Sequence, residues 1–422
     1  MITRTKFLIV GGGVSGLMFA NLVPNRDYLV VEKEPELGGY CRTIYQDGFT
    51  WDYAGHFFHF ANEDIKNFFT SKIPESSFVV KEKNTKIFCN GRVIDFPFQA
   101  NIHQLSKETF INCLYDLYFK EEKEDYESFL EMLYGKFGKS ITELFLKPYN
   151  QKLYACDLNS LDKNAMGRFF PHANFEQIVR NFKGGYEGSY NNTFLYPKYG
   201  AKIFVDALAE ALPQKNILLE EQVLHIDRNL KIVTTNKRKI KYQYLITSMP
   251  LNLLLDCLDS DEYYDFSKRL SWNKVLVLNL GFDKASRFNE LHWAYFPESE
   301  FVFYRVGFYN NILNQERLSI YAEIGFGKDK CITIDKQLKE TLAGLRKARI
   351  IDDHELISWA SVVMDPAYVH IDSRLAERKA RIQNSLKLNQ IYSIGRYGDW
   401  KYCSIEDSML DAVSVAKSLS IV

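Results

Sequence analysis

The sequence predicts an α/β protein in which a Rossmann-like nucleotide-binding domain is assembled from discontinuous segments of the chain. Three observations predict this class: a strand, a glycine-rich turn and a helix open the chain, helical periodicity dominates residues 105–154, and alternating strands fill residues 274–326. We expect a helical insertion and a second domain built on a mixed or antiparallel β-sheet. The expected borders are 1–75, 190–265 and 385–422 for the nucleotide-binding domain, 105–189 for the helical insertion, and 76–104 with 266–384 for the sheet domain that binds substrate.

The opening strand and turn carry the clearest pattern. The apolar run Phe7–Val10 leads into a glycine-rich turn that a helix-compatible segment follows. Gly11 permits the tight turn, Gly13 lets the backbone approach a pyrophosphate, and Gly16 lets the helix pack closely on the strand. The N–H groups at the helix N-terminus would bind the phosphates. A dinucleotide site is expected, and the alternative is a glycine-rich turn without a ligand.

The next strand and loop indicate which dinucleotide binds. Tyr28–Val31 ends in Glu32, about 20 residues beyond the turn, where a carboxylate can accept hydrogen bonds from ribose hydroxyls. The pair Gly38-Gly39 follows and resembles the glycine pair of FAD enzymes of the amine-oxidase and glutathione-reductase type. Paired glycines admit backbone N–H groups near a long cofactor, and Arg42 can meet its phosphates or the flavin's polar edge. FAD is therefore favoured over NAD, with an ordinary loop as the alternative for the glycine pair.

The composition excludes several classes of protein. Hydrophobic residues make up 46% and charged residues 25% of the 422 residues, as in an ordinary globular protein. Lys+Arg and Asp+Glu both number 53, so no net charge favours nucleic acid or an anionic membrane. No apolar run reaches the roughly 18 residues of a membrane span, and no signal peptide is recognisable, so we expect a cytoplasmic protein. The 7 cysteines form no CxxC pair and are expected to be reduced thiols.

The elements before and within the insertion follow from local patterns. Ala54-Gly55-His56 places small residues where a backbone could pass a flat ring, and His56 either faces the isoalloxazine or is a structural residue. Residues 76–98 predict strands with a hairpin turn at Asn90-Gly91. Apolar residues spaced three and four apart predict helices from Leu105 to about Tyr154.

The nucleotide-binding domain is expected to resume after the insertion. An amphipathic helix is predicted from Ile203 to Leu212, followed by strands at 216–219, 222–226 and 244–250. The closing segment repeats the order of strand, glycine and helix, with a helix from about Glu406 to Leu419 whose N-terminus could point at the cofactor. The residues expected to contact the cofactor are Gly11, Gly13, Val14, Ser15, Gly16, Glu32, Lys33, Gly38, Gly39, Arg42, Gly55, His56, Val223, Gly395, Arg396, Asp407 and Ser408.

The whole chain resembles the UDP-galactopyranose mutase family, nearer its eukaryotic-type branch, within the FAD-dependent amine-oxidase-like superfamily. The flavin-type motifs are shared with many oxidases, whereas the blocks in the middle of the chain are more specific. Beyond the glycine turn, the resemblance rests on Gly38-Gly39, Gly55-His56, Phe96–Asn101, Lys147–Asn150, Gly167-Arg168, Asn191, Tyr295–Glu298, Phe303–Arg305, Asp365–Tyr368 and Gly395–Tyr402.

The resemblance implies an isomerase that interconverts the pyranose and furanose forms of UDP-galactose or a related UDP-sugar, without net redox change. In the family mechanism, N5 of reduced FAD attacks the anomeric carbon, the nucleoside diphosphate leaves, and the sugar ring changes size through a flavin N5–sugar adduct. The resemblance further implies NADPH or NADH as the reductant of FAD, and a place in making galactofuranose for cell-surface polysaccharides. It leaves a homo-oligomer open.

The resemblance also implies roles for individual residues. Arg168 and Arg305 match the two diphosphate arginines, which suits a clamp for a doubly charged group, and together with His56 they are the candidate catalytic residues. Tyr368 and Tyr402 match phosphate-binding tyrosines. Residues that match the uridine enclosure are Phe98, Gln99, Asn150 and Tyr154, and the full set expected to bind substrate adds Phe96, Asn191, Tyr295, Tyr368 and Tyr402. No metal ligand is expected.

Three positions depart from the family pattern. Phe96 replaces a tyrosine that contacts the uracil edge in relatives, Tyr154 stands where relatives often have Trp, and Ile312 falls where another phosphate-binding tyrosine is expected. Tyr309 could take over the role missing at Ile312. A mutase is therefore favoured, while galactose as the sugar stays open.

Two rival functions remain at this stage. A flavin oxidase or dehydrogenase acting on an amine, porphyrinogen or sugar would share the glycine-rich ends of the chain, but inward-pointing arginines and tyrosines argue against it. A protein that binds FAD or a nucleotide sugar without turnover is the second rival.

Overall fold

The computed structural model describes residues 2–58, 60–170, 174–183 and 193–421. The strands are β1 (Ile2–Val10), β2 (Tyr28–Val31), β3 (Thr43–Gln46), β4 (Phe49–Asp52), β5 (Phe78–Glu82), β6 (Thr85–Cys89), β7 (Arg92–Asp95), β8 (Thr193–Pro197), β9 (Ile217–Leu218), β10 (Val223–Asp227), β11 (Ile232–Thr235), β12 (Lys239–Thr247), β13 (Asn273–Phe282), β14 (Trp293–Tyr295), β15 (Arg305–Phe308), β16 (Ser319–Gly327), β17 (Leu356–Met364) and β18 (Ile391–Ser393). The α-helices are α1 (Val14–Leu22), α2 (Glu63–Thr70), α3 (Lys107–Tyr118), α4 (Phe129–Ile141), α5 (Lys147–Tyr154), α6 (Phe175–Arg180), α7 (Lys202–Ala209), α8 (Leu251–Asp256), α9 (Asp261–Arg269), α10 (Tyr309–Leu313), α11 (Ile334–Lys347), α12 (Ala376–Leu388), α13 (Gly395–Gly398) and α14 (Ile405–Ser418).

The first large sheet carries the predicted nucleotide-binding unit. Its strand order is β10-β11-β12-β1-β2-β9, with β18 paired to β12. The pairs of β1 with β2 and β12, of β2 with β9, and of β12 with β18 are parallel. Phe7–Val10 is buried because helices cover both faces of a parallel sheet, which explains its continuous apolar run. The prediction of an α/β domain assembled from the start, middle and end of the chain is confirmed.

The second large sheet is mixed, as predicted. Its order is β17-β13-β16-β15-β14-β6-β7, and only the pair of β14 with β6 is parallel. The predicted hairpin at Asn90-Gly91 joins β6 to β7, and both turn residues have the positive φ angles, 52° and 70°, that this turn requires. The sheet sets Tyr295, Arg305 and Glu323 side by side on three neighbouring strands.

The predicted helical segment is also confirmed. Helices α3, α4 and α5 share a core with residues near β6 and β7, including Phe98, Phe129 and Tyr154. Side chains cap the first two helices, because Ser106 accepts from Thr109 N and Ser128 accepts from Glu131 N. Helix α5 begins at Lys147-Pro148 and presents Asn150 and Tyr154 to the interior.

Two long helices, α11 and α12, were not predicted. The expected border at residue 384 falls inside α12, whose Ile382 and Leu386 pack with Leu8 and Leu245 against the first sheet. The exact domain borders stay a prediction. Within the described parts of the chain, no helix is long and apolar enough to cross a membrane.

Candidate functional site

The glycine turn between β1 and α1 forms an open cradle. Gly11 has φ +103°, a conformation that favours glycine, and a Cβ on Gly16 would lie 2.1 Å from the carbonyl oxygen of Gly11. These two glycines therefore make the tight turn and the close packing that the sequence predicted. A Cβ built on Gly13, the N-cap of α1, would meet no atom within 4 Å, so the space in front of the helix N-terminus is free for a ligand.

Glu32 and the glycine pair extend this cradle. The buried carboxylate of Glu32 accepts hydrogen bonds from Gly12 N at 2.6 Å and Glu34 N at 2.9 Å, and each oxygen keeps a lone pair for a ribose hydroxyl. Gly38 N donates to Gly12 O at 2.8 Å, and a Cβ on Gly39 would lie 3.6 Å from Gly13 Cα. The pair Gly38-Gly39 thus lies beside Gly13, which fits a dinucleotide such as FAD.

Three predicted cofactor residues lie differently from the expectation. Arg42 is turned to its own loop, where Nη2 donates to Glu36 O at 2.8 Å and the guanidinium lies 3.6–3.8 Å from Glu34 and Glu36. The side chain of Lys33 is 63% exposed beside Glu34. Val223 packs in the core with Val31, the residue before Glu32. Arg42 Nε has no hydrogen-bond partner among the described residues, and contacts of these three residues to a cofactor stay a prediction.

The end of the chain brings further backbone to the cradle. Gly395 has φ +77°, and a Cβ there would lie 2.4 Å from Ser15 Oγ in the first turn of α1. Its neighbour α14 begins with a capping box, in which Asp407 accepts from Ser404 N and Ser404 accepts from Asp407 N. Ser408 Oγ donates to Ser404 O at 3.0 Å, so Asp407 and Ser408 build the helix terminus.

Arg305 anchors the opposite wall of the site. Its guanidinium makes a bidentate pair with Glu323, with Nε and Nη2 at 2.8 and 2.7 Å from the two carboxylate oxygens. The side chain of Glu323 is only 1% exposed, and that of Arg305 is 20% exposed. Antiparallel pairing places these residues directly opposite each other on β15 and β16. Arg305 is therefore held rigidly with one edge toward solvent.

The guanidinium of Arg396 lies over the rings of the two predicted phosphate-binding tyrosines. Its guanidinium carbon is 4.6 Å from the ring centre of Tyr402 and 5.2 Å from that of Tyr368. These two rings stack on each other with their centres 5.9 Å apart. Arg396 Nη1 donates to Cys403 O at 3.2 Å, and Nε is buried without an acceptor among the described residues.

Arg168 reaches the same group of rings from the helical segment. Its Nη2 lies 2.9 Å from both carboxylate oxygens of Asp407, and its side chain is 53% exposed. The neighbouring Phe169 contacts the ring of Tyr402, with centres 5.2 Å apart. A diphosphate that bound Arg168 would replace Asp407 as its partner.

His56 has a buried Nδ1 and lies within electrostatic range of Arg396 and Arg305. Burial is the main cause that lowers the pKa of His56 from 6.5 to about 4, and the positive charges of Arg396 and Arg305 act in the same direction. His56 is therefore neutral near pH 7. The adjacent Gly55 is required by Tyr321, because a Cβ on Gly55 would lie 2.3 Å from the tyrosine hydroxyl.

The residues predicted to enclose the base are gathered in one region. Phe98 stacks on Phe145 with ring centres 5.0 Å apart, and Asn150 Nδ2 donates to Leu146 O while its Oδ1 has no partner among the described residues. Phe96 contacts Tyr295, with ring centres 5.3 Å apart. The side chains of Phe98, Gln99, Asn150 and Tyr154 are at most 2% exposed, so protein atoms cover them in this structure. Base binding by these residues stays a prediction, and Asn191 lies outside the described residues.

Tyr309, which could take over the role missing at Ile312, is directed into the core in this structure. Tyr309 is fully buried, and its hydroxyl donates to the backbone oxygen of Asp52 at 3.4 Å. Ile312 is buried in the same core cluster as Tyr309 and Trp51. The segment forms helix α10, which turns Tyr309 inward, and phosphate binding by Tyr309 stays a prediction.

Four residues around Arg305 were not among the predicted site residues: Glu323, Tyr321, Tyr149 and Tyr304. Glu323 pairs with Arg305, and the ring of Tyr321 occupies the space beside Gly307, where a Cβ would lie 1.9 Å from it. Tyr149 contacts both Tyr295 and Tyr304, with ring centres 5.1 and 6.1 Å apart. A carboxylate and a tyrosine in the otherwise apolar run Ser319–Ile324 were the available signal.

Comparisons with known proteins agree with this architecture. A family described as NAD(P)-binding Rossmann-like domain matches residues 9–71, which include the glycine turn, Glu32 and Gly38-Gly39. The UDP-galactopyranose mutase of Mycoplasma genitalium is 21% identical over 99% of this chain and 95% of its own length. The corticosteroid-binding protein of Candida albicans is 24% identical over 76% of this chain, which spans only 64% of that relative.

Solved structures extend the likeness to the whole fold. A crystal structure of reduced UDP-galactopyranose mutase superimposes with a TM-score of 0.93 at 23% identity, covering 99% of this chain and 96% of the other. A putative protoporphyrinogen oxidase from Exiguobacterium superimposes with a TM-score of 0.78 at 17% identity, with both chains fully covered. The predicted resemblance to UDP-galactopyranose mutase is confirmed at the level of the fold, which an oxidase structure shares.

Proposed function

We propose that this protein is a flavin-dependent mutase that interconverts the pyranose and furanose forms of a UDP-sugar, either UDP-galactose or a relative. One observation carries the proposal: Gly395 lies against Ser15 beside the open dinucleotide cradle at Gly13, and the next residue, Arg396, lies over the rings of Tyr368 and Tyr402. A cofactor lying in the cradle would place its reactive ring beside groups suited to a diphosphate.

FAD fits the cradle that the residues form. The free space at Gly13 suits a pyrophosphate at the N-terminus of α1, and Glu32 keeps acceptor capacity for a ribose. Reduced flavin would supply an electron-rich ring nitrogen as the nucleophile toward the anomeric carbon of the sugar. We propose NADPH or NADH as the source of its electrons.

The arginines bind and neutralise the leaving diphosphate. Arg305 is fixed by Glu323 and offers its remaining N–H groups, while Arg168 exchanges Asp407 for a phosphate. Burial raises the pKa of Tyr368 well above its ordinary value, so its hydroxyl remains a hydrogen-bond donor at neutral pH. These groups stabilise negative charge on the departing oxygen without needing a proton from solvent.

The neutral state of His56 matters for the sugar. An imidazolium within electrostatic range of Arg305 and Arg396 would add a third positive charge, and the lowered pKa prevents this. Neutral His56 could accept a hydrogen bond from a sugar hydroxyl.

An oxidase is the second candidate, because an oxidase is among the solved structures with the same fold. An amine or porphyrinogen oxidase would need an apolar or amine-accepting cavity beside the flavin. The guanidinium of Arg396 and the ring hydroxyls of Tyr368 and Tyr402 give this region the opposite character. Binding without turnover is a third candidate.

A panel of nucleotide sugars tests the proposal. Anaerobic, dithionite-reduced protein is incubated with UDP-galactose, UDP-glucose, UDP-N-acetylgalactosamine and matched sugars on other nucleotides, and products are read by chromatography and NMR. The proposal expects a furanose isomer of at least one UDP-sugar and none with oxidised protein. Reduction of the bound flavin by an unphosphorylated amine, with no isomer in the panel, would favour the oxidase.

A further inference from the structure

The arginines of the site differ in how their charges are compensated. Glu323 neutralises Arg305 through a bidentate pair, and Asp407 neutralises Arg168. Arg396 makes no ion pair with any carboxylate in the described parts of the chain. Arg396 is half-buried with its Nε fully covered, and a charge taken from water without a partner is costly, so its retention points to a ligand that supplies the counter-charge.

The surroundings of Arg396 suit an anion. Its Nε is buried without an acceptor among the described residues, and only Nη1 has one, the carbonyl oxygen of Cys403. Stacking of the guanidinium on Tyr402 and Tyr368 fixes its plane and leaves an N–H edge available. Both tyrosine hydroxyls lie in the same cluster and can donate to the same anion.

The position of Arg396 favours the substrate over the pyrophosphate of the cofactor. The backbone at Gly395 lies against Ser15 in the cradle, whereas the guanidinium of Arg396 lies over the rings of Tyr368 and Tyr402, which are predicted to bind phosphate. Arg305 lies over the ring of Tyr321 and Arg396 lies over the ring of Tyr368, and these two tyrosines belong to one packed cluster. An anion bound by Arg305 would therefore lie close to Arg396 as well.

We propose that Arg396 is a third arginine of the diphosphate site, and that it supplies the net positive charge that attracts the substrate. This inference rests on the proposed function. Arg305 and Arg168 orient the diphosphate, but each begins with a carboxylate partner, so the unmatched charge of Arg396 drives the binding. Tyr368 and Tyr402 hold Arg396 in position and share the phosphate oxygens.

Calorimetry of UDP and uridine binding tests this role. Arg396→Met should weaken UDP binding by about 10- to 100-fold, the scale of a lost charged hydrogen bond, and leave uridine binding unchanged. Arg396→Lys should recover part of the loss, because the charge remains and the planar fork does not. The salt dependence of UDP binding should also become shallower in Arg396→Met.

A matched control is available at Arg228. This arginine also lies over a tyrosine, with its guanidinium carbon 5.2 Å from the ring centre of Tyr263, and is far from the cradle in sequence and sheet position. Arg228→Met should bind UDP as the unaltered protein does. Thermal unfolding of each variant establishes that it is folded.

The outcomes separate the substrate from the cofactor. FAD binding to apoprotein, followed by flavin fluorescence, should change less than threefold in Arg396→Met. Lost FAD binding with unchanged UDP binding to the apoprotein would assign Arg396 to the cofactor and overturn the inference. Unchanged UDP and FAD binding would overturn it as well. Failure of the unaltered protein to bind UDP would overturn the proposed function together with the inference.

Discussion

Replacing Glu323 by glutamine probes the rigid wall of the site. The carboxylate is 1% exposed and makes two bonds of 2.7 and 2.8 Å to Arg305, whose side chain is 20% exposed. Removing one partner of a buried ion pair costs about 3–5 kcal/mol, because the other charge is left buried. The glutamine oxygen retains one hydrogen bond worth about 1 kcal/mol, and the exposed edge of Arg305 reduces the cost further. We therefore expect Glu323→Gln to lower the free energy of unfolding by about 2–3 kcal/mol.

Urea unfolding followed by fluorescence and circular dichroism measures this loss. Glu300→Gln is the matched control, because Glu300 pairs with Lys347 at the surface, where the two side chains are 46% and 57% exposed. That change should cost less than about 0.5 kcal/mol. Saturating UDP should restore more stability to Glu323→Gln than to the unaltered protein, since the diphosphate supplies the missing counter-charge. Equal unfolding midpoints for Glu323→Gln and Glu300→Gln would refute the reasoning.

Three further predictions follow from the same geometry. Gly13→Val should abolish FAD binding, measured by flavin absorbance after reconstitution. The apoprotein should keep its unfolding midpoint, because a Cβ at Gly13 would meet no protein atom and would enter only the space of the ligand. A yellow variant would contradict this. Arg305→Ala and Arg168→Ala should each cost about 2–4 kcal/mol of transition-state stabilisation, measured as a fall in kcat/KM. Lysine at either position should restore part of the loss, and unchanged kinetics would remove that residue from the site. Burial, Arg396 and Arg305 lower the pKa of His56 from 6.5 to about 4, so between these pH values the unfolded chain binds a proton that the folded chain does not, and stability falls as the pH falls. His56→Asn should make that decline less steep, whereas an identical pH profile of the unfolding midpoint would count against a buried, neutral His56.

Local patterns predicted much of the fold. The glycine turn at Gly11, Gly13 and Gly16 and the hairpin at Asn90-Gly91 are specified by neighbouring residues, because only certain backbone angles and close approaches suit them. The helical periodicity between Leu105 and Tyr154 is likewise a property of a short window. Helix α12 has a weakly amphipathic sequence and packs through only a few buried residues, so its pattern was missed.

The site was predictable only in part, because its pairings join distant parts of the chain. Arg168 and Asp407 are separated by 239 residues, and no local pattern shows that they bind each other. The pairing of Arg305 with Glu323 depends on the register of β15 against β16. The direction of Tyr309 depends on α10, and the lack of an ion pair at Arg396 appears only when the carboxylates of the described residues are placed in three dimensions.

The electron balance of a single reaction tests the central claim most directly. Protein reduced anaerobically with one equivalent of dithionite is mixed with excess UDP-sugar substrate, while flavin absorbance and product mass are followed together. A mutase should complete many turnovers to an isomer of unchanged mass, with the flavin still reduced at the end and no further reductant consumed. A product whose mass differs from that of the substrate by two hydrogens, formed in proportion to the change in flavin oxidation state, would contradict the mutase and identify an oxidoreductase.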